Sequence, residues 1–419
     1  MIQHIALRHV GPSDSMSVRF SPRLNILTGD NGLGKTFVFD IIWWAMTRTW
    51  ANNPAWPDRG KNIRPEIEFH IRSESGHLLK KNSVYDIQEQ SWPLPDASPK
   101  DNAIVLYARS DGGISVSDPI KHDDMAVPKD LRRVPRTFHF SADEIRNGLT
   151  DKKGKTVCNG LIRDWTIWQF QKPEIFDVFV SVLEKLSPDS DEKLRPGKPI
   201  RVSVEDARDI PTLELPYGTI PITHISAGMQ RIIGFAYLLV WAWSEHKAVA
   251  SLMNLEPQQR ITILFDEIES HLHPKWQRVI LPAILDVANI AESDMKVQMI
   301  ASTHAPLVLS SIETEFCENR DQVLTFDLAD GNVSVREIPW SKQGDVTNWL
   351  VSDVFGLRQA RSKAAEVAIE AANAFMRGEA DELPEHLKTK AAIHEALSQA
   401  LAGHDPFWPR WVVFTGGTA

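Results

Sequence analysis

The alternation of apolar and polar positions divides the chain into stretches of different period. In the opening part, "IQHIALRHV", "SVRF" and "RLNILTG" read as strands, and "KTFVFDIIWWAMTRTW" follows as an amphipathic helix with no internal proline or glycine. From Trp50 to about Thr137 short polar and β-branched stretches are broken by Pro, Gly and Ser. There "EIEFHI", "AIVLYA" and "GISVSD" predict strands of a meander. Helical spacing takes over from Ser141 to Leu186, in "GLIRDWTIWQFQ" and "PEIFDVFVSVLEKL", and the Pro-rich "SPDSDEKLRPGKP" closes that section as a loop.

Short strands resume up to "GTIPITHI", after which "SAGMQR" leads into a long apolar helix. "RITILF" and "VQMIAS" are compact apolar runs of the kind that buried parallel strands show, with a helical stretch from Lys275 to Ile290 between them. Strand, helix, strand is the unit of a wound sheet. "QVLTFDLADGNVSVREI" predicts a hairpin around Asp330 and Gly331, and the final part predicts three helices, of which "RSKAAEVAIEAANAFMRG" is the clearest. Neither an internal repeat nor a sustained heptad is present.

Composition narrows the class. At 419 residues, with 42% hydrophobic and 24% charged positions, the chain has the make-up of a folded globular protein large enough for two or three units. Acids outnumber bases by 55 to 46, which argues against non-specific coating of nucleic acid. Two cysteines, Cys158 and Cys317, without paired spacing support neither a disulfide framework nor a thiolate zinc site, and fit a reducing, cytoplasmic setting. The N-terminus does not read as a signal peptide. The longest apolar run, "IIGFAYLLVWAW", is too short for a bilayer and reads as a buried helix, so no membrane is expected.

Four motifs carry chemistry. "GDNGLGKT", Gly29 to Thr36, has the P-loop spacing of Gly, four residues, Gly, Lys and Ser or Thr, set between an apolar strand and a helix. Gly29, Asn31, Gly32 and Gly34 let backbone N–H groups face phosphate oxygens at the positive end of the helix. Lys35 then meets the terminal phosphates and Thr36 binds Mg²⁺. The second is "ITILFDE", where Asp266 can hold the magnesium ion and Glu267 can orient or deprotonate the attacking water. The third is "IASTHAPL", which places His304 at the end of another apolar strand. In "ISAGMQR", Ser226 reads either as an ordinary helix cap or as part of an anion site. No Asn-Lys-x-Asp segment of a GTPase occurs.

The order of these motifs resembles the ATPase heads of the ABC class, in the branch with RecF, the SMC proteins and the overcoming-lysogeny-defect proteins. "GDNGLGKT" is similar to their Walker A, "ISAGMQR" to their signature, "ILFDEIESHLHP" to Walker B plus D-loop, and "ASTHAPLV" to the switch-histidine segment. The resemblance covers roughly residues 1 to 48 and 219 to 312. It implies an α/β fold: an ABC-type head with a mixed wound sheet, an antiparallel β subdomain and a helical lobe, lacking a long coiled coil, followed by a helical C-terminal region. The expected organisation is a composite head over 1–340, with core 1–48 and 219–340 and an insert 49–218, and an interaction module over 341–419.

The resemblance further implies ATP and Mg²⁺ sandwiched between two heads. Lys35, Thr36, Asp266, Glu267 and the γ-phosphate sensor His304 would act from one subunit, and Ser226 and Gly228 from the other. A homodimer or higher homo-oligomer is therefore expected. The signature departs from the family's two glycines at Ala227; Gln88, Gln90 and Gln169 are the candidates for a glutamine loop, and Arg8 or His9 for a base contact.

Short, armless heads also resemble ATPase subunits of bacterial antiphage defence systems, which implies a separate effector such as a nuclease. Two other readings stand beside this one. A RecF-like DNA-binding role would use basic stretches such as "KDLRRVPR" and "DKKGK". A metallohydrolase would be built on Glu269, His271, His273 and His304, and would leave the P-loop without a purpose.

Overall fold

The computed structural model describes residues 1–58, 60, 63–73, 76–93, 103–120, 137–291, 295–329 and 331–416. Two compact units divide the chain, Met1–Lys342 and Gln343–Ala419.

In the first unit, strands β1 (Ile2–Val10), β2 (Ser13–Arg19), β4 (Glu66–Arg72) and β5 (Leu78–Val84) form an antiparallel sheet in the order β2-β1-β4-β5, while β3 (Leu24–Gly29) leaves for a second sheet. That second sheet has eight strands. Beside β3 it contains β6 (Ile104–Ala108), β7 (Ile114–Ser117), β8 (Thr137–Phe140), β9 (Arg260–Phe265), β10 (Lys296–Ser302), β11 (Asp321–Ala329) and β12 (Asn332–Ile338). The order is β12-β11-β3-β10-β9-β6-β7-β8, parallel from β11 to β6 and antiparallel at both edges. It is the mixed α/β head with an antiparallel subdomain that the motifs imply.

Helix α1 (Lys35–Thr47) lies between the two sheets. Its Val38, Phe39, Ile41, Ile42, Trp43 and Trp44 pack with Ile5, Leu7 and Phe69 of the small sheet and with Tyr107, Leu264 and Ile300 of the large one. The expectation of an amphipathic helix is corrected here. A helix covered on two sides needs apolar residues around most of its circumference, which is what "FVFDIIWWA" supplies. Burial of the Trp43 and Trp44 rings accounts for that pair as core. The expected meander is likewise split: "EIEFHI" joins the small sheet, whereas "AIVLYA" and "GISVSD" join the large one. Strand β6, inside the stretch expected as an insert, pairs in parallel with β9 and so belongs to the central sheet.

Helices α2 (Ala142–Asn147), α3 (Leu161–Gln171) and α4 (Pro173–Lys185) form a helical lobe against α5 (Ala227–Leu252). Ser141 and Glu144 close a capping box at the start of α2, and Trp165 and Trp168 pack edge-on against Phe179. The helical stretch expected from Lys275 to Ile290 is interrupted, with a single turn over Pro274–Gln277 followed by α6 (Ile280–Ala291). The hairpin expected around Asp330 and Gly331 is present as β11 and β12, although Asp330 itself lies outside the described residues. Among the described residues no helix is long and apolar enough to cross a membrane.

Among its described residues the second unit contains four α-helices where three were expected, at Val346–Val351, Lys363–Arg377, Lys390–Ala400 and Trp408–Phe414. Two of the four are only six and seven residues long, too short for a 3.6-residue period to stand out. Ala368, Ile369 and Ala372 pack with Ile393, Leu397 and a fully buried Trp411. Arg361 clamps Asp405 with two hydrogen bonds of 2.9 and 3.0 Å.

Candidate functional site

Parallel pairing brings the carboxyl ends of β3, β9 and β10 to one edge of the large sheet, the edge where wound sheets bind ligands. In register, Phe265 pairs with Ala301, and Ser302 with Leu27. The residues just beyond these pairs, Asp266, Thr303 and the Gly29 loop, therefore arrive side by side.

The loop from Gly29 to Gly34 connects β3 to α1. Gly29 has φ of +114°, and a Cβ there would sit 2.3 Å from the Phe326 carbonyl oxygen, so only glycine fits. Gly34 has φ of +91° and ends the loop directly before the helix. Gly32 has φ of +81° in open space, and Asn31 is exposed beside it. Lys35 is buried and donates to the carbonyls of Gly29 at 2.8 Å and Asp30 at 2.7 Å. Burial pulls its ammonium below the ordinary lysine value, a drop opposed by the charge of Asp266.

Thr36 Oγ1 donates to Asp266 Oδ2 at 2.6 Å, joining residues from the two ends of the core. The other carboxylate oxygen, Oδ1, accepts from Ser302 Oγ at 2.6 Å, and the same hydroxyl accepts from the Glu267 backbone N–H at 2.7 Å. Ser302 thus fixes both carboxylate residues. Glu267 has φ of +50°, an unusual conformation for a side-chain-bearing residue, and its Oε2 accepts from Ser270 Oγ at 2.8 Å. The His304 backbone N–H donates to Glu269 Oε1 at 2.6 Å, tying the segment after β10 to the one after β9. Burial, and next the charge of Lys35, lower the His304 imidazole below its ordinary value, which favours the neutral ring at pH 7.

On the opposite flank Ser226 caps α5, accepting from the Met229 N–H at 3.3 Å. Gly228 is buried against the segment after β9, where a Cβ would come within 2.4 Å of the His271 carbonyl oxygen. Arg231, one turn on, donates to the Asp266 carbonyl at 2.7 Å.

Lys35, Thr36, Asp266, Glu267 and His304 are thus gathered at one sheet edge. Ser226 and Gly228 lie at the start of α5, and among the described residues no hydrogen bond joins either to the Gly29–Thr36 loop of the same chain.

The remaining candidates go elsewhere. Gln169 donates to the Gly197 carbonyl in the helical lobe, and Gln88 and Gln90 lie in an exposed turn. Arg8 is exposed and paired with Glu66, and His9 has φ of +55°. His273 caps the helical turn at Pro274, and His271 has φ of +63°. Among the described residues the His, Cys and acidic groups close enough to share an ion are His4, Glu68 and His70, and His9, Asp14 and Asp58. Neither set contains the histidines or Glu269 of the metallohydrolase reading. "KDLRRVPR" lies outside the described residues, and the lysines of "DKKGK" are exposed on a turn.

Ser302 and Arg231 were not foreseen, and Glu269, read only as a possible metal ligand, instead accepts from the His304 backbone N–H. A trace of Ser302 exists in the sequence, as the first polar residue after an apolar strand that ends beside His304.

The sequence over residues 24–310 matches the family described as "AAA domain, putative AbiEii toxin, Type IV TA system". The Septu protein PtuA of Bacillus thuringiensis is 22% identical over 378 residues, which cover 86% of each chain. The Retron Vc95 probable ATPase of Vibrio cholerae serotype O1 biovar El Tor is 43% identical over 53 residues, 13% of this chain and 9% of that protein. Among solved structures, an SMC head bound to the C-winged helix domain of ScpA overlays on 80% of this chain and 98% of its own, with a TM-score of 0.44 and 15% identity.

Proposed function

The chain belongs to the AAA-domain family that matches residues 24–310, and from that premise we propose that it is an ATP-hydrolysing switch that dimerises around nucleotide. The observation that carries the reading is the 2.6 Å contact of Thr36 with Asp266, which joins the P-loop to the acidic end of a buried parallel strand.

The donor set suits Mg²⁺. Thr36 and Asp266 offer two hard oxygens at one point, the ligand type that magnesium takes together with phosphate oxygens and water. When bound, the ion would neutralise charge on the phosphates. Lys35, held by two backbone carbonyls, exchanges these acceptors for the terminal phosphates of ATP. Glu267 is the base that orients the attacking water, positioned by Ser302 through its own N–H and by Ser270 through its carboxylate. His304, neutral beside Lys35, reports on the γ-phosphate.

Ser226 and Gly228 complete the site of a second copy. ATP binding favours the closed dimer and hydrolysis releases it, so the molecule works by population shift on a separate effector, a nuclease by preference. The resemblance to ATPase subunits of antiphage defence systems gives the setting, and the Septu and retron proteins among the relatives support it.

Steady-state ATP turnover tests the assignment. Glu267→Gln is expected to lower turnover by roughly a hundredfold, the scale of a lost general base, while nucleotide binding persists. Lys35→Ala is expected to lose nucleotide binding itself. Wild-type turnover in Glu267→Gln would sink the reading.

A further inference from the structure

Arg231 belongs to the signature helix α5, yet its contacts lie in the acidic half of the site. Its Nη2 donates to the carbonyl of Asp266 at 2.7 Å and to that of Arg109 at 3.4 Å, and the guanidinium lies over the Phe265 ring at 5.2 Å. Its remaining nitrogens, Nε and Nη1, are buried and have no hydrogen-bond partner among the described residues. Burial lowers the guanidinium from its ordinary value, opposed by the charges of Asp266, Glu267, Glu269 and Asp111 in that order.

A cation held in such a place is expensive, because each buried donor left without an acceptor has given up its hydrogen bond to water. Packing alone does not explain it. An apolar side chain would cover Phe265 without that cost.

The carbonyl of Asp266 belongs to the peptide whose N–H is that of Glu267. Ser302 holds that peptide from one end, through the Glu267 N–H, and Arg231 holds it from the other, through the Asp266 oxygen. The two bonds fix the peptide plane from which the Glu267 side chain departs, in a backbone conformation of positive φ that needs outside support. We propose that Arg231 is a positioning residue for ATP hydrolysis. From the signature helix it sets the orientation of the Asp266–Glu267 peptide in its own chain, and hence the aim of the Glu267 carboxylate at the attacking water. Gly228 strengthens the link, since its contact with the His271 carbonyl brings the same helix against the segment after β9.

The inference rests on the functional reading above, so its test carries a control for that reading. Turnover and affinity for a fluorescent ATP analogue are measured for Arg231→Met, Arg231→Lys, Glu267→Gln and Arg231→Met combined with Glu267→Gln. Arg231→Met keeps a stem over Phe265 but removes every donor. Its kcat is expected to fall about tenfold to a hundredfold, the scale of a misaimed catalytic group, with affinity and KM within about threefold of wild type. Arg231→Lys restores one donor and is expected to recover part of the loss.

In the Glu267→Gln background Arg231→Met is expected to add little, because both act through one carboxylate; a general weakening of the fold would instead multiply. Wild-type kcat in Arg231→Met, or equal losses of affinity and turnover, would overturn the proposal. Should Arg231→Met not fold, Arg231→Lys decides: reduced kcat at unchanged KM supports the role, and wild-type kcat overturns it. If Glu267→Gln itself turns over normally, the ATPase assignment has failed and the role of Arg231 falls with it.

Discussion

Asp40 shows how one side chain can carry a measurable cost near the site. It lies one helical turn after Thr36, and burial pushes its carboxyl up to about 6, against a 2.9 Å hydrogen bond from Asn52 and with the charge of Asp266 adding to the rise. The folded value is above the unfolded one of roughly 4. Between the two, the folded chain binds more protons than the unfolded chain, so this group's contribution to stability falls as pH rises from about 4 to about 6. Above that window the cost of the buried charge is complete. Asp40→Asn is expected to stabilise the protein at pH 7 by on the order of 1–3 kcal/mol and to lose that advantage towards pH 4.5. Urea unfolding at a series of pH values reads the difference between variant and wild type, and a difference independent of pH would contradict the account.

Elements, rather than residues, explain what was readable in the sequence. The P-loop spacing is a local pattern, so the placement of Gly29 to Thr36 between a strand and a helix was legible from spacing alone. Asp266 and Glu267 were legible because an apolar strand that ends in two acids is uncommon. Ser302 and Arg231 were not, since their meaning depends on register: Ser302 matters because β10 lies beside β9, and Arg231 because α5 passes over Phe265. Strand pairing over long separations also escaped the meander reading, which placed "EIEFHI" and "AIVLYA" in one sheet. Periodicity gives the faces of a strand but not its neighbours.

The start of α5 yields a prediction at this scale. A methyl group at Gly228 would meet the backbone carbonyl of His271, which cannot swing away as a side chain could. Gly228→Ala is therefore expected to destabilise the nucleotide-free protein by about 1–3 kcal/mol, as overpacking does, and to lower turnover as well. A thermal melt without nucleotide checks it. An unchanged melt would mean that Gly228 matters only to the second copy's nucleotide.

At the scale of the whole molecule, we propose that one chain holds only half of a working site. Lys35, Thr36, Asp266, Glu267 and His304 share a sheet edge, whereas Ser226 and Gly228 begin a helix in which Gly228 meets the His271 carbonyl. The predicted remedy is a second copy, with ATP between the two. Sedimentation of Glu267→Gln with and without Mg²⁺-ATP tests this most directly, because that variant should bind nucleotide and not release it by hydrolysis. The mass is expected at least to double with ATP, to revert when ATP is removed, and to stay unchanged with ADP. A mass that does not respond to ATP, in a sample shown to bind it, would contradict the account.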